Sequence, residues 1–256
     1  MTTIEASQVR SLGQLVDEVA RLSGASEGVT WFRGHRDATW GIVPSIWRLG
    51  DKTQEVAIAH KFRARAQHRM KSRPAYDDLP EWLSTMQHYG LPTRLLDWST
   101  SPMVAAYFAL EHLLDDPKAK PCHAAVWLLR PTALNFAEGL DRQTYSINSQ
   151  SCLPYLSPVF YPKDPEKNKV RAVMASVHDD RIFVQQGAFT IHSRQRPLEE
   201  TSGADQYLSK IVIPAESVAS VAEQLRVSGY RRGDIFPDLA NLAQELKMEL
   251  MSGSQG

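Results

Sequence analysis

Two short runs of this 256-residue chain concentrate the residue types that chemistry uses. One is Arg33-Gly34-His35, which follows the β-branched and aromatic Thr30-Trp31-Phe32. The other is Gln87 to Leu110, QHYGLPTRLLDWSTSPMVAAYFAL, with His88, Tyr89, Arg94, Asp97 and the hydroxyl run Ser99-Thr100-Ser101. An arginine presents a planar fork of donors that pairs with phosphate through two parallel bonds. A carboxylate close to it can hold a developing cation. Arg33 and Arg94 are candidates for the first task, and Asp97 for the second. A structural reading stands beside this one: a well-capped core helix whose entrance holds Arg94 or Arg33 in an ion pair with Asp97.

The elements that position these residues are legible in part. Thr30-Trp31-Phe32 reads as a short strand that ends in Arg33-Gly34, where a glycine lets a ligand approach the backbone. Ser101-Pro102 reads as the N-cap and first residue of a helix, with Val104, Ala105, Phe108 and Leu113 at helical spacing. Ala105, Ala106 and Ala109 allow another backbone to come close to that helix. Arg181 to His192, RIFVQQGAFTIH, reads as two strand-like halves joined at Gly187, with Gln185-Gln186 beside the glycine.

The remaining chain supplies the frame. Ser7 to Leu22 has the apolar stripe of an amphipathic helix. Trp40 to Ile46 reads as extended. Thr53 to Arg73 reads as a long helix with Lys61, Arg65, His68 and Arg69 on one side, expected to be a solvated face rather than a nucleic-acid patch. A short helix follows from Glu81 to Tyr89. His123 to Leu129 and Lys210 to Ile213 read as strands. Pro131 to Phe136, Ala215 to Val227 and Phe236 to Met251 read as helical, with Pro237 at the first position of the last helix. Leu140 to Asn168 has little periodicity and several prolines, and reads as an excursion over the surface. The fold class expected is α+β: a single domain over residues 1–256 with a mixed or split β core flanked by helices. Residues 1–28 form its N-terminal helix, 29–242 its core and 243–256 the end of the last helix and a frayed tail.

The formal net charge is zero, so whole-molecule attraction to nucleic acid or anionic membrane is not expected. The two cysteines and the absence of clustered cysteine–histidine pairs argue against a disulfide framework or a metal site. No basic stretch followed by an apolar one opens the chain, and no apolar run reaches membrane-spanning length, so a cytoplasmic protein is expected. Phosphate-loop, dinucleotide, serine-hydrolase and zinc-protease motifs are missing. Asp179-Asp180 is an adjacent carboxylate pair, which a strand would point to opposite faces.

Three segments together resemble the FRG domain family: WFRGH at Trp31 to His35, the central QHYGLPTRLLDWSTSP run with its AAYFA helix, and VQQGAFTIH at Val184 to His192. FPDL at Phe236 to Leu239 also fits, so the resemblance runs from about Thr30 to Leu242. More distantly, Phe-Arg-Gly on a strand followed by Ser-Thr-Ser leading into a helix resembles mono-ADP-ribosyltransferases of the Arg–Ser–Glu type. That resemblance implies an ADP-ribosyltransferase-like fold, with Arg33 binding the phosphates of NAD and Ser99, Thr100 and Ser101 bracing the site. It also calls for a glutamate on a later strand, where this chain has Gln185-Gln186. A neutral amide can orient a ribose but supplies no negative charge.

The readings carried forward are two. In the first, the chain is an NAD-dependent ADP-ribosyltransferase acting on a protein, RNA or DNA acceptor, as a toxin or antiphage effector with an antitoxin partner conceivable. Arg33, Ser99, Gln186 and Asp97 would then serve the reaction. Arg33, Gly34, His35, His88, Tyr89, Arg94, Thr100 and Ser101 would hold NAD. In the second, the same pocket belongs to a non-catalytic module that binds nucleotide, nucleic acid or a protein partner.

Overall fold

The computed structural model describes residues 4, 6–24, 28–70, 72–116, 119–164, 167–176 and 180–253. Asp179 and the tail from residue 254 onward lie outside the described residues. Seven strands form one mixed sheet: β1 (Ala6–Gln8), β2 (Trp31–His35), β3 (Leu95–Ser99), β4 (Ala124–Leu129), β5 (Val170–Met174), β6 (Gly187–His192) and β7 (Leu208–Ile213). Their order across the sheet is β1-β7-β4-β2-β3-β6-β5. The β1–β7 pair is parallel and the others are antiparallel.

The sheet is close to two sheets joined at one point. β2 and β4 share five register pairs, and so do β3 and β6. β2 and β3 share one, Phe32↔Ser99. Beyond that pair the two strands part, and Arg33, Gly34 and His35 are left without partners on β3. The expectation of a mixed or split β core is met in this form.

Alternation along the strands sends successive side chains to opposite faces. On one face of the first half, Phe32, Val126, Leu128 and Ile211 are buried under α1 (Leu12–Gly24), α5 (Pro102–Asp115) and α9 (Ala215–Val227). On the second half, Leu95, Val173, Phe189 and Ile191 are buried under α3 (Lys52–Ala66), α4 (Leu79–His88) and α7 (Leu153–Phe160). The other face is continuous: Trp31, Leu96, Trp98, Trp127 and Ala172 pack together there with Leu134 of α6 (Pro131–Ala137). The fork between β2 and β3 therefore opens on the face where two helical layers meet.

α5 explains the glycine of Arg33-Gly34. A Cβ at Gly34 would lie 1.9 Å from the Ala105 carbonyl oxygen and 2.5 Å from the Ala109 nitrogen. The small residues of α5 let its backbone seat directly on β2, so the bare Gly34 is needed for helix packing. α5 starts as expected, with the Ser101 side chain accepting from Val104 N and Pro102 in the first turn. Losing such a cap costs about 1 kcal/mol.

Several expectations need correction. Ala6–Gln8 is a strand on the sheet edge, and the helix begins only at Leu12. Trp40 to Ile46 forms no strand; α2 (Ser45–Leu49) starts within it. α3 ends at Ala66, short of Arg73. Leu95–Ser99, read as part of a loop, is a central strand. Residues 140–168 are not a surface excursion: α7 buries Tyr155, Leu156, Val159 and Phe160, and a helix buried on so many sides shows no 3.6-residue period. The first half of RIFVQQGAFTIH is a short helix, α8 (Asp180–Val184). The C-terminal segment divides into α10 (Arg232–Ile235) and α11 (Leu239–Gly253), so Pro237 lies before the last helix, and Asp238 accepts from Asn241 N at 2.9 Å.

Candidate functional site

A cavity of about 970 Å³ lies at the fork. β2, β3, α4, α5 and α8 line it, with Arg48 from α2 and Phe236 from the α10–α11 junction. Ligand pockets typically measure roughly 300–1,000 Å³, so this one has room for a dinucleotide-sized ligand.

Two hydrogen-bonded chains converge on Asp97. The first runs along β2. Arg33 Nε donates to His35 Nε2 at 3.1 Å, which leaves the His35 proton on Nδ1, facing the Trp40 carbonyl at 3.2 Å. The Arg33 guanidinium is thereby oriented so that one terminal nitrogen donates to the Asp97 carbonyl at 2.6 Å. It bridges the gap that the missing β2–β3 ladder leaves. Burial pushes Arg33 down to about 10, with Asp97 opposing and Arg48 adding to the shift, so it stays charged. Burial and then the Arg33 charge press His35 down to about 3, so it is neutral.

The second chain starts at β3. Thr93 Oγ1 accepts from Leu95 N at 3.2 Å and donates to Gln87 Oε1. The Gln87 amide is then fixed with Nε2 donating to Asp97 Oδ2 at 2.7 Å. Asp97 is open to solvent within the cavity although protein surrounds it. Burial raises its carboxyl above the ordinary value, while the Arg33 charge and the Gln87 bond pull it back. A carboxylate held between these opposing effects, in a cleft, marks a candidate functional group.

The hydroxyl run sits at the joint between the sheet halves. Ser99 Oγ donates to the Gln185 carbonyl at 2.7 Å and accepts from Ser101 N at 2.9 Å. Thr100 N and Oγ1 bond Gln186 O and Oε1 at 3.0 and 3.1 Å. Ser101 caps α5. These contacts hold Gln186 at φ 49, a left-handed conformation uncommon for a side chain other than glycine. Ser99 lines the cavity, but Thr100, Ser101 and Gln186 do not; Gln185 does, with its amide donating to the Ile235 carbonyl at 3.2 Å.

His88 and Tyr89 line the cavity edge to face, with ring centroids 4.9 Å apart. Arg94 is not in the cavity. It is fully buried and forked onto Glu55 of α3, with Nη2–Oε2 at 2.6 Å and Nε–Oε2 at 3.0 Å, and Nη1 donates to the Tyr155 carbonyl. It pins α3 and α7 to the start of β3, and the role of a ligand-binding arginine does not fit its position.

Among the lining residues that sequence reasoning missed, four shape the site most directly. Gln87 opens the run whose next two residues were singled out, but nothing in its spacing from Asp97 tells that they meet. Arg48 lies in a short helix, α2, of which only the first two residues fall in the stretch read as extended. Phe108 and Phe236 meet edge to face at 5.9 Å and give the cavity an apolar wall, with the Arg181 guanidinium 5.2 Å from the Phe236 ring.

Among the described residues no group of histidine, cysteine and carboxylate side chains suits a metal ion. No helix is long and apolar enough to cross a membrane. No curated protein and no solved structure matches the chain. The FRG domain family model matches residues 28–118, which takes in β2, Gln87, Asp97 and α5 and leaves out VQQGAFTIH and FPDL. Over those residues, the chain is similar to the FRG domain family.

Proposed function

We propose that the cavity carries out NAD-dependent ADP-ribosyl transfer to a macromolecule, with Asp97 in place of the glutamate that β6 lacks. The observation that carries this reading is that Arg33 and Asp97 stand side by side on the floor of one cavity, each oriented by its own hydrogen-bonded chain. The donor set suits a diphosphate. Arg33 spends Nε and one terminal nitrogen on the protein, and Arg48, exposed on the same cavity, has no ion pair among the described residues. The Arg48 charge lowers Arg33, and an anion between the two guanidiniums would be favoured.

NAD supplies a ribosyl–nicotinamide bond whose cleavage leaves positive charge on the ribose. Asp97 is the cavity carboxylate beside Arg33, and Gln87 fixes its orientation. Phe108 and Phe236 offer an apolar wall for a ring. Ser99 acts through position: it locks the β3–α5 corner to Gln185 and so holds Asp97 relative to α8. A toxin or antiphage role would follow from such activity. The second reading, a binding module without catalysis, draws on the same contacts, since the Ser99 hydroxyl is spent on the protein and Gln186 is turned from the cavity.

The test is to incubate the protein with adenylate-labelled NAD and a cell lysate, then to separate protein, RNA and DNA. Label in one fraction, lost with Asp97→Asn, is the expected result. Tight NAD binding with no label in any fraction selects the binding module.

A further inference from the structure

We propose that the rim of the cavity is a docking face for a single-stranded polynucleotide. This rests on the transferase reading only in making the strand the acceptor. The observation is where the unpaired cations lie. Away from the cavity, several exposed arginines have acidic partners: Arg10 with Glu216, Arg21 with Glu18, and Arg226 with Glu223, at 2.5 to 2.6 Å. Around the cavity they do not. Arg36, Arg48, Lys61, Arg65, Arg69 and Arg73 are all exposed, and none forms an ion pair among the described residues.

These six residues belong together. Arg36 and Arg48 line the cavity, and so does Met70, the residue next to Arg69. Lys61 and Arg65 face solvent on α3, whose inner side is held by Ala59, Arg63 and Ala66. Arg65 lies one residue before the end of α3 and five before Met70, so at most about 18 Å of chain separates it from the cavity edge. Several carboxylates of this side are already engaged. Asp51 and Asp78 cap α3 and α4, accepting from Gln54 N and Glu81 N, and Glu55 is buried on Arg94. Of the other carboxylates that line the cavity, Asp97 accepts from Gln87, and Glu111 and Asp115 face Arg232. Asp77, Glu81 and Asp180 do not balance six cations. This proposal departs from the expectation that the basic side of α3 is a merely solvated face.

Aromatic rings stand among the cations. Tyr89 is 67% exposed and Trp40 40% exposed, and both line the cavity mouth. Arg36 lies over Trp40, 5.2 Å from its ring. Exposed rings interleaved with unpaired guanidiniums suit a flexible strand, which stacks unpaired bases on the rings and lays phosphates along the cations. A duplex keeps its bases paired and makes no use of the rings.

The test is fluorescence anisotropy of labelled oligo-dT and oligo-U, each about 20 nucleotides, with the full chain and no NAD, between about 50 and 200 mM salt. Binding of either oligonucleotide should weaken with salt at a slope of about 0.7 per phosphate contact. The triple variant Arg65→Gln, Arg69→Gln, Arg73→Gln should lose at least about tenfold in affinity and about 2 in slope. Tyr89→Ala should lose about tenfold through stacking alone, with the slope unchanged. A control removing the paired Arg10, Arg21 and Arg226 by Gln should bind like the unchanged protein. Thermal melts verify that every variant is folded. The proposal is overturned if neither oligonucleotide binds at low salt, or if the control loses as much as the triple variant. Competition by a charge-matched polyglutamate as strong as by oligonucleotide would also overturn it, in favour of an acidic protein. None of these outcomes depends on NAD cleavage, so the transferase reading stands or falls separately.

Discussion

Gln87 Nε2 donates to Asp97 Oδ2 at 2.7 Å, from the last turn of α4 to the middle of β3, across the gap where the sheet divides. Thr93 forces this amide orientation by donating to its oxygen. Gln87 therefore stabilises the ionised form of Asp97. Other charged or titratable groups on the cavity are Arg33 and His35 on β2 and Arg36 after it, Arg48 on α2, Glu81 and His88 on α4, Glu111, His112 and Asp115 on α5, and Asp180 and Arg181 on α8. Gln87→Met keeps the length and removes the donor. It should raise the Asp97 titration further, read by carboxyl carbon NMR, and shift the pH profile of NAD cleavage upward with it. Gln87→Glu should raise it more, by placing a like charge alongside. An unmoved titration in both variants would show that the contact does not act on the carboxylate.

Asp97 itself should oppose stability. Its carboxyl is raised by burial, so the folded state binds that proton more tightly than the unfolded chain. Stability from this group then falls as pH rises from the ordinary value of 3.8 through the folded one. At neutral pH the charge is a cost, and Asp97→Asn, which still accepts from Gln87, should keep or raise the thermal midpoint. A clear drop in the midpoint would make Asp97 a structural residue.

His35 and His192 give the opposite slope. Burial holds both at about 3 against 6.5, with Arg33 next for His35 and Arg194 for His192. The unfolded chain takes up those protons first, so stability is lost as pH falls from about 6.5 towards 3. Denaturant titrations should show a declining midpoint below about pH 6, shallower in His35→Gln. Imidazole NMR should find His35 neutral, with its proton on Nδ1, throughout pH 5 to 8. A His35 that titrates near 6.5 contradicts the Arg33–His35 chain.

The two arginines should fail in different ways. Glu55→Gln leaves the buried Arg94 charge uncompensated and should cost about 3–5 kcal/mol of stability. Arg33→Lys keeps a charge but loses the fork, and should weaken NAD by at least about tenfold in calorimetry, roughly 1.4 kcal/mol, with little change in stability. Equal NAD affinity in Arg33→Lys would assign Arg33 to structure.

That contrast shows what the chain alone reveals. Arg33 and Arg94 sit in equally suggestive company, and only the partner 39 residues away, Glu55, tells that one of them is buried structure. Local signals held where local physics decides: Ser101-Pro102 starts α5, and the alanines of α5 meet the bare Gly34. They failed where tertiary packing decides. Leu95–Ser99 has the alternation of a strand, but Asp97 breaks the apolar pattern because it faces the cavity. α7 carries Pro158 inside it and is buried on several sides, so it reads as coil. The site was legible as an arginine, an aspartate and a hydroxyl run. Gln87, which completes it, was not, because its partner is set by the way β3 turns back past α4.

The most direct measurement is nicotinamide release from NAD by the purified protein, compared with Asp97→Asn. Release by the unchanged protein that falls about a hundred- to a thousandfold in a folded Asp97→Asn is the predicted result. Undetectable release together with no heat of NAD binding, or equal release by both proteins, would contradict the assignment of the Arg33–Asp97 cavity to NAD chemistry.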